Sequence, residues 1–248
     1  MWRRRNLRKR VPQPSDPPDD REDFYRIMAG LRERFGKVHL ADCHGRMNWP
    51  RRGVYFFFED GELRPDGITP RVVRVGTHAV SKGSKARLWN RLATHRGRAS
   101  GEGGNHRGSI FRLHLGHALV NAGRASAAPR GTWGHGSSAP RTVKLTERAL
   151  EAAVSAYLGG MPFLWVDADD EPSPSSVRAF IERNAIALLS NCGSPANPEA
   201  PCDTWLGRQA AAAEIRDSGL WNVNHVRGSY DPASVEALAS RAAATEAL

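Results

Sequence analysis

The side chains of this chain that could do chemistry are concentrated between Arg71 and Arg112. Ten bases (Arg71, Arg74, Lys82, Lys85, Arg87, Arg91, Arg96, Arg98, Arg107 and Arg112) stand there against a single acid, Glu102. Three imidazoles, His78, His95 and His106, share the stretch. Guanidinium forks hold phosphate oxygens through paired hydrogen bonds. An imidazole with its ordinary pKa near ~6.5 exchanges protons at neutral pH. Ordinary surfaces mix signs, so this imbalance argues for a bound polyanion rather than a solvated face. Arg91 and His95 lie one helical turn apart, on the face that carries Leu88 and Leu92, which puts the pair at the border of buried surface. Two further candidates stand alone: Tyr55 in Gly53-Val54-Tyr55, and Glu182 in Ile181-Glu182-Arg183-Asn184. Taken by themselves, Tyr55 is a core aromatic of a strand and Glu182 a surface acid of a helix.

The elements that must position these residues are legible in outline. Val54 to Glu59 is a β-rich run in which Tyr55 and Phe57 point to one face and Phe56 and Phe58 to the other. Val72 to Gly76 reads as a second strand and Pro162 to Val166 as a third. Apolar spacing predicts helices over Asp23–Phe35, from Ser84 as N-cap through His95, over Glu147–Leu158 behind Thr146, and from Ser173 to Ser190. Ser109 to Leu119 fits helix or strand. Asn121 to Arg141 reads as a loop, Trp205 to Asp217 as helical, and Pro232 to Ala243 as a last amphipathic helix. Gly103-Gly104-Asn105-His106-Arg107-Gly108 is either a substrate-contact loop, whose glycines let backbone approach phosphate, or a linker with chance basic residues. Asp167, Asp169, Asp170 and Glu171 read as a loop favouring the N-terminus of the helix that follows.

Composition narrows the class. The 248 residues are 40% hydrophobic and 25% charged, as in an ordinary globular protein, with a formal net charge of +10. That charge favours a nucleic-acid partner. No apolar run approaches the ~20 residues of a membrane helix, and the basic start lacks the apolar stretch of a secretory signal. The expected location is cytoplasmic. Three cysteines, Cys43, Cys192 and Cys202, are too few for a disulfide scaffold and fit a reducing compartment. A structural zinc site using them with histidines is a third-ranked alternative.

In their order, Gly53-Val54-Tyr55, Arg74-Val75-Gly76 with His78, Arg91 with His95, and Glu182 resemble the motifs of the GIY-YIG nuclease superfamily. The resemblance implies an α+β fold, sandwich-like, with a small three-stranded antiparallel sheet flanked by helices and helical additions at both termini. The implied division is a disordered basic arm over 1–20, a helical segment over 21–49, a nuclease core over 50–198 with an insertion at about 97–145, and a C-terminal helical extension over 199–248 packing on the core. It further implies a metal-dependent endonuclease acting on nucleic acid, DNA rather than RNA, with Mg2+ or Mn2+ as cofactor. Tyr55 would position or deprotonate water, with His78 a second candidate base. Arg91 and His95 would serve the phosphate, and Glu182 would hold the metal. Arg74, Lys82, Lys85, Arg87, Arg96, His106, Arg107 and Asn197 would contact nucleic acid. The second motif departs from the family pattern, because Arg74 stands where a tyrosine is usual and a guanidinium cannot act as a base. The rival reading is therefore a binding module of the same fold that has lost catalysis.

Overall fold

The computed structural model describes residues 19–98, 100, 103–128, 131–193 and 199–248. The basic arm expected over residues 1–20 lies outside them, except for Asp19 and Asp20. Asp19 caps the first helix, α1 (Asp20–Phe35), accepting from the backbone N–H groups of Arg21 and Glu22.

Among the described residues the sheet has four strands in the order β1-β4-β2-β3, with all neighbours antiparallel. They are β1 (Val38–His39), β2 (Gly53–Leu63), β3 (Pro70–Gly76) and β4 (Pro162–Asp167). The three expected strands form the body of the sheet. The fourth, β1, adds two residues to the β4 edge through Val38 and His39, opposite Phe163 and Pro162. Two residues carry no alternation that a sequence reading could detect.

Helices cover both faces, which is why β2 reads as an almost unbroken apolar run. On one face, Tyr55, Phe57, Val73, Phe163 and Trp165 pack with α2 (Leu88–Arg96), α3 (Ile110–Asn121) and α5 (Arg148–Gly159). Trp205 and Trp221 join that core from the C-terminal region. On the other face, Val54, Phe56, Phe58, Val72 and Val75 pack with α1, α6 (Val177–Leu189) and α8 (Ala233–Ala244). Both terminal regions thus contribute to the cores that hold the central sheet.

Several element boundaries differ from expectation. α2 starts at Leu88 without a side-chain cap, and Ser84 lies in the loop before it. Ser109 to Asn121 resolves to helix, with Ser109 Oγ accepting from Arg112 N. A short helix, α4 (Arg141–Thr146), follows the expected loop directly before α5, so Thr146 ends α4 rather than capping α5, whose N-cap is Glu147. α6 begins at Val177, capped by Ser176 and by Asp170 Oδ2, which accepts from Val177 N at 2.5 Å. Ser173 and Pro174 precede it. Trp205 to Asp217 divides into a 3-10 turn at Leu206–Gln209 and α7 (Ala213–Ser218). Among the described residues, no helix is long and apolar enough to cross a membrane.

The free edge of β3 is closed by side chains and loop backbone. Trp221 N donates to Val73 O at 2.7 Å, and the Asn222 amide both accepts from Val75 N (3.1 Å) and donates to Val75 O (2.8 Å). Tyr25 Oη accepts from Val72 N at 3.3 Å. These contacts cover an edge that would otherwise pair with another chain, and they fix the end of β3 where the candidate site lies.

Candidate active site

The C-terminal end of β3 is the hub. Tyr55 and Gly76 are directly opposed across β2 and β3. A Cβ on Gly76 would lie 2.4 Å from Tyr55 Cζ and Oη, so the glycine is what allows the tyrosine ring to lie against the strand. Tyr55 is 0% exposed. Its hydroxyl is 2.7 Å from His95 Nε2, and His95 Nδ1 is 2.7 Å from Ser109 Oγ. Ser109 Oγ also accepts from Arg112 N, so both ring nitrogens of His95 are hydrogen-bonded, one to Tyr55 and one to Ser109. Burial, reinforced by the Arg91, Arg74 and Arg112 charges, holds the His95 pKa well below its ordinary value. The imidazole is therefore neutral.

On the opposite side of the strand end, α6 brings Glu182 to the backbone. Glu182 Oε1 accepts from Thr77 N at 3.0 Å, while Thr77 Oγ1 donates to Gly53 O at 2.8 Å. Both glycine motifs thereby meet at one residue. Burial raises the Glu182 pKa; the Thr77 amide and then the Arg74 and Arg91 charges act against that rise. Arg74 is buried beside Tyr55, with its guanidinium over the Phe111 ring at 4.6 Å and Nη1 donating to Trp221 O at 2.5 Å. Burial holds its pKa below the usual guanidinium value. Arg91, half-buried on α2, donates to Gly108 O at 3.2 Å. His78 follows on the loop leaving β3. Neither of its ring nitrogens makes a hydrogen bond, and burial together with the Arg178, Arg52 and Arg91 charges lowers its pKa to about 4.

The structure thus brings Tyr55, Arg74, Arg91, His95 and Glu182 around Gly76-Thr77, with His78 next along the chain. It separates the rest of the basic run. His106 is buried, donates from Nδ1 to Glu151 Oε1 (2.9 Å), accepts at Nε2 from Gly134 N (3.0 Å) and stacks on Trp133. Arg107 is a fork on Glu147 (2.7 and 2.8 Å) and also donates to Thr132 O and His135 O. Both residues hold the insertion together, and the expectation that they contact substrate is corrected: their polar atoms are committed to protein. Arg96 donates to Cys43 O and lies over the Trp89 ring. Lys82, Lys85 and Arg87 are exposed on the loop before α2. Asn197 lies outside the described residues.

The acidic loop before α6 is held by two buried arginines. Asp169 pairs with Arg52 at 3.0 Å, and Asp170 pairs with Arg178. Arg178 also donates to His78 O (3.0 Å) and Ala79 O (2.6 Å), anchoring the exit of β3. Sequence reasoning assigned no role to Thr77, Ser109, Arg178 or Asn222. Ser109 alone carried a readable signal, as a serine standing directly before an apolar run that can be helical.

The donor set at Glu182 suits a hard divalent cation. Among the described residues the carboxylate has no ion-pair partner, and burial already disfavours its charge. One carboxylate supplemented by water and phosphate oxygens is a common magnesium arrangement. The zinc alternative finds no ligands: no three His, Cys, Asp or Glu residues come together among the described residues, and the three cysteines are free thiols.

This mixed α+β architecture, a small antiparallel sheet between helical layers, is consistent with the GIY-YIG fold. A family model described as GIY-YIG domain matches residues 16–248, and the chain belongs to that family. Its members are generally endonucleases, hydrolases that act on nucleic acid with a divalent metal. No curated protein and no solved structure matches the chain.

Proposed function

We propose that this chain is an endonuclease that hydrolyses phosphodiester bonds of double-stranded DNA, with Mg2+ or Mn2+ held at Glu182. The reading is carried by the convergence of Tyr55, His95, Arg74, Arg91 and Glu182 on the end of β3. When bound, the divalent ion polarises a phosphoryl oxygen and stabilises the leaving oxygen. Arg91 at the rim holds the scissile phosphate, and Arg74, buried beside Tyr55, adds its positive charge to the field there without touching it. Tyr55 Oη positions the attacking water and takes its proton while passing its own to His95 Nε2. In this relay His95 carries its own proton on Nδ1, toward Ser109 Oγ 2.7 Å away, and Nε2 is the acceptor. The arginines that help depress His95 are partly offset once the phosphodiester anion sits among them, so the relay gains basicity with substrate in place. His78, also neutral, is a second acceptor at the strand exit. The exposed Lys82, Lys85 and Arg87 track the backbone of the duplex, which makes binding salt-dependent.

A catalytically silent nucleic-acid-binding module is the second reading. It is favoured by Tyr55 being fully buried beside Arg74, the residue that replaces the second tyrosine. Nicking of supercoiled plasmid by wild type and by Glu182→Ala, with Mg2+ or with EDTA, separates the two. Metal-dependent nicking by wild type alone supports the endonuclease. Retention of DNA without nicking under any condition refutes it in favour of the binding module.

A further inference from the structure

A second basic feature lies outside the site. Between α2 and the α4–α5 corner there is an open cleft of about 830 Å3, with Gly97 and Gly104 among its lining residues. Four cations line it: Arg98 beyond α2, Arg141 and Lys144 on α4, and Arg148 at the start of α5. Two acids also line it, but both are already neutralised. Glu147 is forked by Arg107, and Glu151 is held by Arg112 and His106. The lining cations outnumber, among the described residues, the acids that are not already held by a buried arginine. Among the described residues, exposed Arg141 and Lys144 have no ion-pair partner. Gly108 lines this cleft and also a neighbouring hollow of about 260 Å3 that contains Arg91. Arg91 itself donates to Gly108 O, so the two depressions meet beside the candidate phosphate-binding arginine. The two adjoining depressions together make a trough from beside Arg91 onto the insertion, with its exposed cations at the α4 end.

We propose that this trough is a second nucleic-acid-binding surface, in which Arg141 and Lys144 contact backbone phosphates of the same substrate beyond the scissile one. The inference rests on the proposed action on nucleic acid and extends it to the insertion. A polyanionic strand is the occupant that fits, because exposed Arg141 and Lys144 stand along an open groove rather than in an enclosed apolar pocket for a small molecule. Backbone contacts of this kind carry no sequence information; they fix register and add affinity.

The test is the salt dependence of binding to a fluorescent 30-base-pair duplex, in the presence of Ca2+ and absence of Mg2+, by anisotropy. Loss of two phosphate contacts lowers the slope of log K against log salt by about 1.8 and weakens binding about 60-fold at ~0.1 M salt. Arg141→Ala combined with Lys144→Ala is expected to show that loss, with an unchanged melting temperature because both residues are exposed. Lys37→Ala combined with Arg227→Ala removes the same net charge outside the trough and is expected to leave the slope unchanged. Equal slopes for wild type and the trough variant, with wild type binding the duplex normally, overturn this proposal and leave the endonuclease reading standing. A slope lowered equally by the control pair also overturns it, since the effect is then net charge alone. Absence of salt-dependent binding by wild type overturns both readings together.

Discussion

Substitution of Gly76 by alanine tests the geometry of the site without removing any of its functional groups. The backbone at Gly76 is not in the left-handed region, so alanine is conformationally acceptable there, and the cost is purely steric. The new Cβ would fall 2.4 Å from Tyr55 Cζ and Oη and 2.6 Å from Cε2. That ring cannot simply swing away: it is fully buried and packs edge-on against Phe57 and His95. Overpacking of this kind costs about 1–3 kcal/mol, and losing the 2.7 Å contact to His95 adds about 1 kcal/mol. At roughly 2–4 °C per kcal/mol for a chain of this size, the melting temperature should fall by about 4–16 °C. Gly30→Ala is the internal control. Gly30 lies within α1, and its new Cβ would meet nothing within 4 Å, so the same chemical change should stabilise by about 0.5–1 kcal/mol. Thermal unfolding of the two variants beside wild type is sufficient, and no activity assay is needed to read the sign. If plasmid nicking is also measured, displacement of Tyr55 Oη by an ångström or so should lower it about 100-fold. A Gly76→Ala protein that melts with wild type would refute the claim that this glycine exists to seat the tyrosine.

Glu182→Gln should be at least as stable as wild type in EDTA, because burial raises the carboxyl's pKa and its ionised form therefore costs stability at neutral pH. Mg2+ should raise the melting temperature of wild type but not of this variant; a variant less stable than wild type in EDTA would contradict the account. His78 titrates at about 4 in the fold against an ordinary 6.5. Between those values the unfolded chain holds a proton that the folded chain does not, so the stability contribution is complete above ~6.5 and is lost as pH falls toward ~4. The difference is about 3 kcal/mol over that window. Denaturant unfolding at several pH values should show a shallower acid limb for His78→Gln, and identical limbs would remove the basis for a buried neutral imidazole there.

How much of this was legible beforehand differs by residue. Alternation along β2 is a local property of extended backbone, and it placed Tyr55 and Phe57 opposite Phe56 and Phe58 as the two cores have them. The order of strands and helices, together with glycines beside a strand tyrosine, was enough to indicate the family and the cast of candidate site residues. Charge was the less faithful guide. The ten bases between Arg71 and Arg112 were counted as one surface, yet Arg71, Arg107 and Arg112 are buried on Glu62, Glu147 and Glu151, and Arg74 is buried against Phe111 and Trp221. Those three carboxylates lie outside the run, at separations of 9, 40 and 39 residues, so nothing local distinguishes a buried structural guanidinium from one that meets a phosphate. The sequence by itself determined which faces of the strands are apolar and which reactive side chains are available. Only the tertiary structure decided which of those side chains are already satisfied by the protein, because burial and long-range pairing depend on how distant segments pack, and that is what separates the exposed Arg141 and Lys144 from the buried His106 and Arg107.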